Sequence, residues 1–417
     1  MTATDSRGRY AASSPIDGRP AWIRLAVSML LGTLGSVGLW SVVVVLPAIQ
    51  AEFGVERADA SLPYTLTMVG FAVGNLVIGR MVDRLGITTP LIVSALILSS
   101  GYALAAFSSS LLMFALAQGV LIGVGTSATF GPLIANISHW FERRRGVAVA
   151  GVASGNYLAG AIWPPIIQAI MAADGWRTAY ITIAVVCLVL MVPLAFFLRA
   201  ELPRLSPARS GTASKPSATP SRKTDLSPNA LTALLWIAGI GCCVAMAMPQ
   251  VHIVAHCVDL GYGVARGAEM LSLMLAGGVI SRLASGWLAD KIGGVYTLMI
   301  GSVGQMLALM FYLPFDGLAS LYLVSLFFGL AQGGIVPSYA IIVREYMPAA
   351  EAGARVGLVI MASVFGMALG GWISGLIYDL SGSYQAAFIN GIAWNLVNIG
   401  IMFLILWRSQ GPRQALA

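Results

Sequence analysis

Apolar runs of about twenty residues recur from Ile23 to Trp407, separated by short polar gaps. A helix of that length spans the ~30 Å hydrocarbon layer of a bilayer and satisfies its backbone polar groups internally. A transmembrane β-barrel would instead show segments of about ten residues with alternating polarity, and that pattern is absent. Only 10% of the 417 residues are charged, against about 25% in soluble domains, while 58% are hydrophobic. A water-facing surface cannot be built from that composition, so the chain reads as an all-α membrane protein.

Twelve transmembrane helices are expected, near 23–50, 61–82, 88–108, 111–139, 145–172, 177–199, 229–258, 266–289, 295–314, 318–345, 353–379 and 384–407. The polar first 22 residues form a tail, and the run behind them is too long for a signal-peptide core, so no cleavage is expected. Residues 200–228, rich in Ser, Pro, Thr, Lys and Arg, read as a linker between six-helix halves at 23–199 and 229–407. A short tail follows at 408–417. Lys and Arg gather in the tails, the linker and the even-numbered connections, whereas the odd ones hold only Arg57, Arg177 and Arg266. The positive-inside rule then puts both termini in the cytoplasm, in the manner of a bacterial inner-membrane protein. This topology accounts for the net charge of +7, and no nucleic-acid partner is expected. The cysteines at 187, 242, 243 and 257 lack metal-ligand spacing and read as small core residues; no metal or cofactor is expected.

A second regularity lies on top of the first. Gly79-Arg-Met-Val-Asp83-Arg84-Leu-Gly86 follows the second expected helix. Gly286-Trp-Leu-Ala-Asp290-Lys291-Ile-Gly293 follows the eighth, 207 residues on (286 minus 79). The repeat marks a duplicated six-helix unit. Its glycines suit a tight turn, and its Asp and cation suit a gate at the cytoplasmic face. Glycine pairs such as Gly119 and Gly123, or Gly371 and Gly375, point to close helix packing. On these motifs the whole chain resembles the major facilitator superfamily, which implies two pseudo-symmetric six-helix halves and transport of a small solute by alternating access.

Arg282 is the residue most informative about that solute. It falls well inside the eighth helix, eight residues before Asp290, where a charge is expensive and by default marks a functional site. No acidic residue is expected at mid-helix to neutralise it. A guanidinium fork fits a carboxylate, which points to a small organic anion as partner; joining the gate near Asp290, or snorkelling to the cytoplasm, are the other roles that fit. The equivalent position in the first half is Asn75. Gln250, His252 and His256 lie on the seventh helix, with the histidines one turn apart, and suit either proton coupling or a buried hydrogen-bonded role. Trp40, Tyr64, Asn156, Tyr157, Tyr339 and Phe365 could line a central site or serve helix packing.

Several stretches narrow the resemblance to the monocarboxylate transporter branch and its oxalate/formate antiporter relatives. They are Trp140-Phe141-Glu-Arg-Arg-Arg145-Gly146, Gln250-Val-His252 with Asp259-Leu-Gly261, Arg282 ahead of the second motif, and Tyr378-Asp379-Leu-Ser-Gly382-Ser-Tyr384. The resemblance implies that Arg282 holds the substrate carboxylate. Phe130 stands where those relatives often carry a tyrosine, and the eleventh helix offers only Arg355 near its end, so a single buried cation favours a monovalent anion. No G-x-x-x-x-G-K-[ST] loop is present, which leaves ion or solute gradients as the energy source. Proton symport, facilitated diffusion and exchange all fit. Efflux of a drug-like or neutral solute is the rival reading, and a membrane sensor a remote one. The oligomeric state is left open.

Overall fold

The computed structural model describes residues 16–199, 222 and 224–409, so most of each expected tail, 1–15 and 410–417, and most of the 200–228 linker lie outside it. The described residues are helical with short turns and contain no strand. Eleven helical stretches are long and apolar enough to cross a membrane. One of them, Arg145–Phe197, has 53 residues and would run about 80 Å at ~1.5 Å per residue, more than twice a bilayer's apolar thickness. It is two helices. Gly175, at φ 82° and ψ 167°, breaks the helical geometry in a region only glycine enters without strain.

The twelve helices are therefore α1 (Arg19–Phe53), α2 (Arg57–Leu85), α3 (Thr88–Ala106), α4 (Leu111–Ser138), α5 (145–174), α6 (176–197), α7 (Pro228–Asp259), α8 (Gly263–Ile292), α9 (Gly294–Phe311), α10 (Leu318–Tyr346), α11 (Ala349–Ser381) and α12 (Tyr384–Ser409). Local chemistry marks several ends. Pro228 opens α7 behind Ser227, whose hydroxyl accepts from the Ala230 amide at 3.2 Å, and Ser110 caps α4 in the same way. Gly54 and Gly382 close α1 and α11 in the left-handed conformation.

With six crossings in each half, the described ends at 16 and 409 lie at one face, termed the terminal face. The opposite face is termed distal. Across the boundary between halves, α2 lies against α11 and α5 against α8. Two helices are interrupted at matching places: α4 at 128–130, where Phe130 has φ −121° and ψ −88°, and α10 at 333–334. Large apolar side chains such as Leu323, Phe403 and Trp407 are mostly exposed on the flanks, which suits lipid contact and not water. The fold is that of an integral membrane protein crossing many times, in two related halves.

Candidate functional site

Between the halves lies a cavity of about 400 Å³. It is lined by α1 (Leu39, Trp40), α2 (Tyr64, Met68, Phe71, Asn75), α4 (Phe130, Gly131), α5 (Asn156, Tyr157), α7 (Cys243, Met246, Gln250), α8 (Arg282), α10 (Val336) and α11 (Gly357 to Met367). Each half contributes, as a site near the middle of a duplicated transporter scaffold requires.

Arg282 is the one Lys or Arg among the lining residues and is only 9% exposed. Its Nη1 donates to the Ala153 carbonyl of α5 at 2.7 Å and its Nε to the Gly333 carbonyl, at the α10 interruption, at 3.3 Å. The guanidinium carbon sits 4.3 Å from the centre of the Tyr157 ring. These contacts fix the side chain without neutralising it: among the described residues no acidic side chain forms an ion pair with Arg282. Its equivalent, Asn75, lines the same cavity and donates to the Phe71 carbonyl of its own helix at 2.8 Å.

Of the residues proposed from sequence, Trp40, Tyr64, Phe130, Asn156, Tyr157, Gln250 and Arg282 meet at this cavity. Three do not. Phe365 is 53% exposed and stacks on Trp236 outside it. Its position on α11 turns it toward lipid, whereas Val364, one residue earlier, faces the cavity. Tyr339 is buried behind the cavity wall, its hydroxyl donating to Asn398 at 2.8 Å. His252 is buried on the distal side, with Nδ1 3.0 Å from the Tyr384 hydroxyl and Nε2 2.7 Å from the Gly371 carbonyl. His256 packs edge-on against Tyr384 and Phe388 and has no contact with the cavity.

Other lining residues escaped the sequence reading, among them Met68, Phe71, Cys243, Met246, Ser363 and Met367. Helical spacing could have found several: Tyr64, Met68, Phe71 and Asn75 lie on one stripe of α2, as Cys243, Met246 and Gln250 do on α7. The sequence also gives Arg282 as the single buried cation, and this needs correction. Arg24 and Arg57 are 5% and 7% exposed. Neither lines the cavity. Arg24 lies near the start of α1, over the Trp140 ring, and donates to Asn136 and the Leu198 carbonyl.

Arg57 closes the distal side. From the start of α2 it forks onto both oxygens of Asp259 at 3.1 and 3.2 Å and reaches the Tyr384 hydroxyl at 2.6 Å. Asp379 accepts from the amides of Arg57 and Ala58 at 2.9 and 2.7 Å, capping α2 from the other half. At the terminal face the repeated motif stands open. Asp83, Arg84, Asp290 and Lys291 are exposed, and none of them belongs to an ion pair among the described residues. The cavity is thus shut at the distal face and parted at the terminal face.

This architecture has clear relatives. The sequence profile of the Major Facilitator Superfamily matches residues 28–354 and 270–417. The chain is 27% identical over 404 residues to monocarboxylate transporter 13 of Bos taurus, covering 95% of this chain and 91% of that one. It is 28% identical to monocarboxylate transporter 11 of Mus musculus, covering 90% and 85%, and 29% identical to the MFS-type transporter pytF of Aspergillus terreus, covering 70% and 96%. Among solved structures, a bacterial homologue of the human lysosomal transporter Spinster, in an inward-facing and occupied conformation, superposes with a TM-score of 0.74. That match covers 97% of this chain and all of the other at 14% identity, a likeness of fold. Profile, relatives and the two-halved helical architecture agree: the chain belongs to the major facilitator superfamily and is a membrane transporter, not an enzyme.

Proposed function

We propose that the protein carries a small organic anion, a monocarboxylate, by alternating access, with the terminal face in the cytoplasm of a bacterial inner membrane. The observation behind this reading is Arg282, a cation held in the central cavity by two carbonyls and an aromatic face, without an acidic partner among the described residues. A charge at the centre of a membrane helix costs about 2.5–3.5 kcal/mol on insertion scales, and a carboxylate entering beside it offsets part of that cost. Resemblance to monocarboxylate transporters supports the same substrate class. The rest of the lining is mainly apolar, which favours efflux of a neutral or drug-like solute as the second reading. That reading makes no demand on Arg282.

His252 is the candidate for proton coupling. It touches Tyr384, which Arg57 also holds, so a proton arriving there would act on the distal closure rather than on the substrate directly. Uptake of radiolabelled monocarboxylates into proteoliposomes, with and without an inward proton gradient, tests both roles. Arg282→Ala should lower saturable uptake by about 100-fold and Arg282→Lys should rescue little of it, since an ammonium lacks the fork. His252→Ala should retain uptake but lose its response to the gradient. Uptake indifferent to Arg282 would transfer the case to the neutral-solute reading.

A further inference from the structure

We infer that the carried anion has a bulky apolar body of aromatic size, and that short hydroxy acids are poor substrates. This rests on Arg282 holding a carboxylate and adds what surrounds it. The cavity measures about 400 Å³, within the ~300–1,000 Å³ range that encloses drug-sized ligands, whereas a three-carbon acid would leave most of it wet. Its walls carry Met68, Met246, Met361 and Met367 together with Phe71 and Phe130, whose rings pack at 6.0 Å. Thioether side chains adapt their shape around an apolar guest, so the surface is tolerant of outline but selective for apolar bulk.

The polar groups of the lining are largely engaged already. The Trp40 indole N–H donates to the backbone and side-chain oxygens of Asn156, both at 3.0 Å, and so turns an apolar face to the cavity. The Asn75 amide is held by its own helix, and the Tyr157 ring lies against Arg282. Gln250 donates to Gln332 at 2.7 Å, and its own Oε1 is buried without a partner. A polyhydroxylated or short hydroxylated acid would therefore surrender hydration to a mainly apolar lining, losing roughly 10-fold in affinity for each hydroxyl left unpaired. An aromatic acid places its ring against the methionines and phenylalanines.

Uptake of radiolabelled lactate, phenylacetate and indole-3-acetate into proteoliposomes decides the matter, the carrier-mediated part of each being wild type minus Arg282→Ala. The two aromatic acids should saturate at concentrations about 100-fold below lactate, or lactate should show no carried component. The second arm uses Gly357, which lines the cavity and has no atom within 4 Å of a would-be Cβ. Gly357→Phe brings a ring into the cavity from a position where a Cβ meets nothing. It should weaken the aromatic acids about 10-fold and leave any lactate component unchanged. Ala72→Phe, on the α2 lining of the other half, is measured alongside so that failure of one variant to fold leaves the other. Lactate saturating at equal or lower concentration than the aromatic acids, or both filling variants affecting all acids alike, would overturn the size selection while leaving the organic-anion reading in place. An absence of any Arg282-dependent component for all three acids would overturn both.

Discussion

The two ends of this molecule differ in whether charge joins the halves. At the distal face one charged cluster crosses between them, Arg57 of the first half being bound by Asp259, Asp379 and Tyr384 of the second, beside two pairs that stay within a half, Arg177 with Glu52 and Arg266 with Glu269. At the terminal face the contacts among the described residues stay within one half or tie the linker to one. Asp17 binds the amides of Glu142 and Arg143, Arg222 pairs with Glu345, and Arg355 pairs with Glu351. The helix surfaces repeat the contrast. Near the distal end α11 lies so close to α2 that a Cβ on Gly375 would sit 2.9 Å from Ala58 Cα, while near the terminal end Gly353 and Gly357 of α11 face open space. Closure at one end thus depends on a partly buried cross-half pair and on small residues that permit it. On the proposed cycle, this is the state open to the cytoplasm.

The largest effect should come from removing the close approach. Gly375→Leu would force α11 away from the Arg57–Ala58 backbone, and overpacking of this kind costs about 1–3 kcal/mol. If distal closure depends on that contact, the population of the distally closed state falls by roughly 5- to 150-fold, since each ~1.4 kcal/mol is a factor of ten. Spin labels on the distal ends of α2 and α11 should then report a lengthened distance, with uptake reduced in proportion. An unchanged distance distribution would show that the closure does not rest on this packing.

Arg57 sharpens the comparison by testing the charges in place of the packing. Its side chain is 8% exposed and that of Asp259 26%, so the pair is neither fully buried nor screened by water. Arg57→Ala leaves Asp259 without a partner and opens the fork to Tyr384, at a cost of about 2 kcal/mol, or roughly 30-fold in favour of the distally open state. Arg57→Lys should recover only part, because both carboxylate oxygens and a phenol are addressed at once. The rate at which a cysteine introduced at Gln50 or Val258 is alkylated from the distal side gives the measurement. Equal rates in wild type and Arg57→Ala would remove Arg57 from the closure.

Much of this was legible beforehand, and the parts that were not share a cause. The apolar runs located twelve helices because helix length against bilayer thickness leaves little freedom, and the Gly79 and Gly286 motifs exposed the duplication. Arg282 was visible because a charge inside a membrane helix has no cheap explanation. Phe365 and Tyr339 went the other way. In a membrane protein the lipid face, the packed face and much of the cavity face are all apolar, so hydrophobicity no longer says where a helix points, and a phenylalanine turned toward lipid reads like one turned toward a ligand. His252 missed the cavity for a related reason: two residues, about 200° of helix rotation, turn it from the cavity stripe of Gln250 to the network around Tyr384. Arg57 looked like a loop cation because its partners, Asp259, Asp379 and Tyr384, lie more than 200 residues away and only the folded halves bring them together.

The smallest expected effect tests whether the terminal face is held only locally. Asp17, at φ 57°, accepts from the amides of Glu142 and Arg143 at 3.2 and 3.0 Å and so fastens the start of the chain to the turn before α5. The Arg143 amide hydrogen bond is the leading reason its carboxyl titrates below the ordinary aspartate range. A group whose pKa is lower in the folded than in the unfolded chain lends stability above its unfolded pKa and loses it as pH falls through the folded one. The contact should therefore be intact at neutral pH and weaken only below about pH 4. Hydrogen exchange at the Glu142 and Arg143 amides, corrected for intrinsic rates, should be several-fold faster in Asp17→Asn at neutral pH, with wild type approaching the variant in acid. Because Asp17 touches only its own half, the same substitution should leave the distal α2–α11 distance unaltered. A shift of that distance in Asp17→Asn would mean that the terminal contacts also act across the halves, and the contrast between the two ends would have to be redrawn.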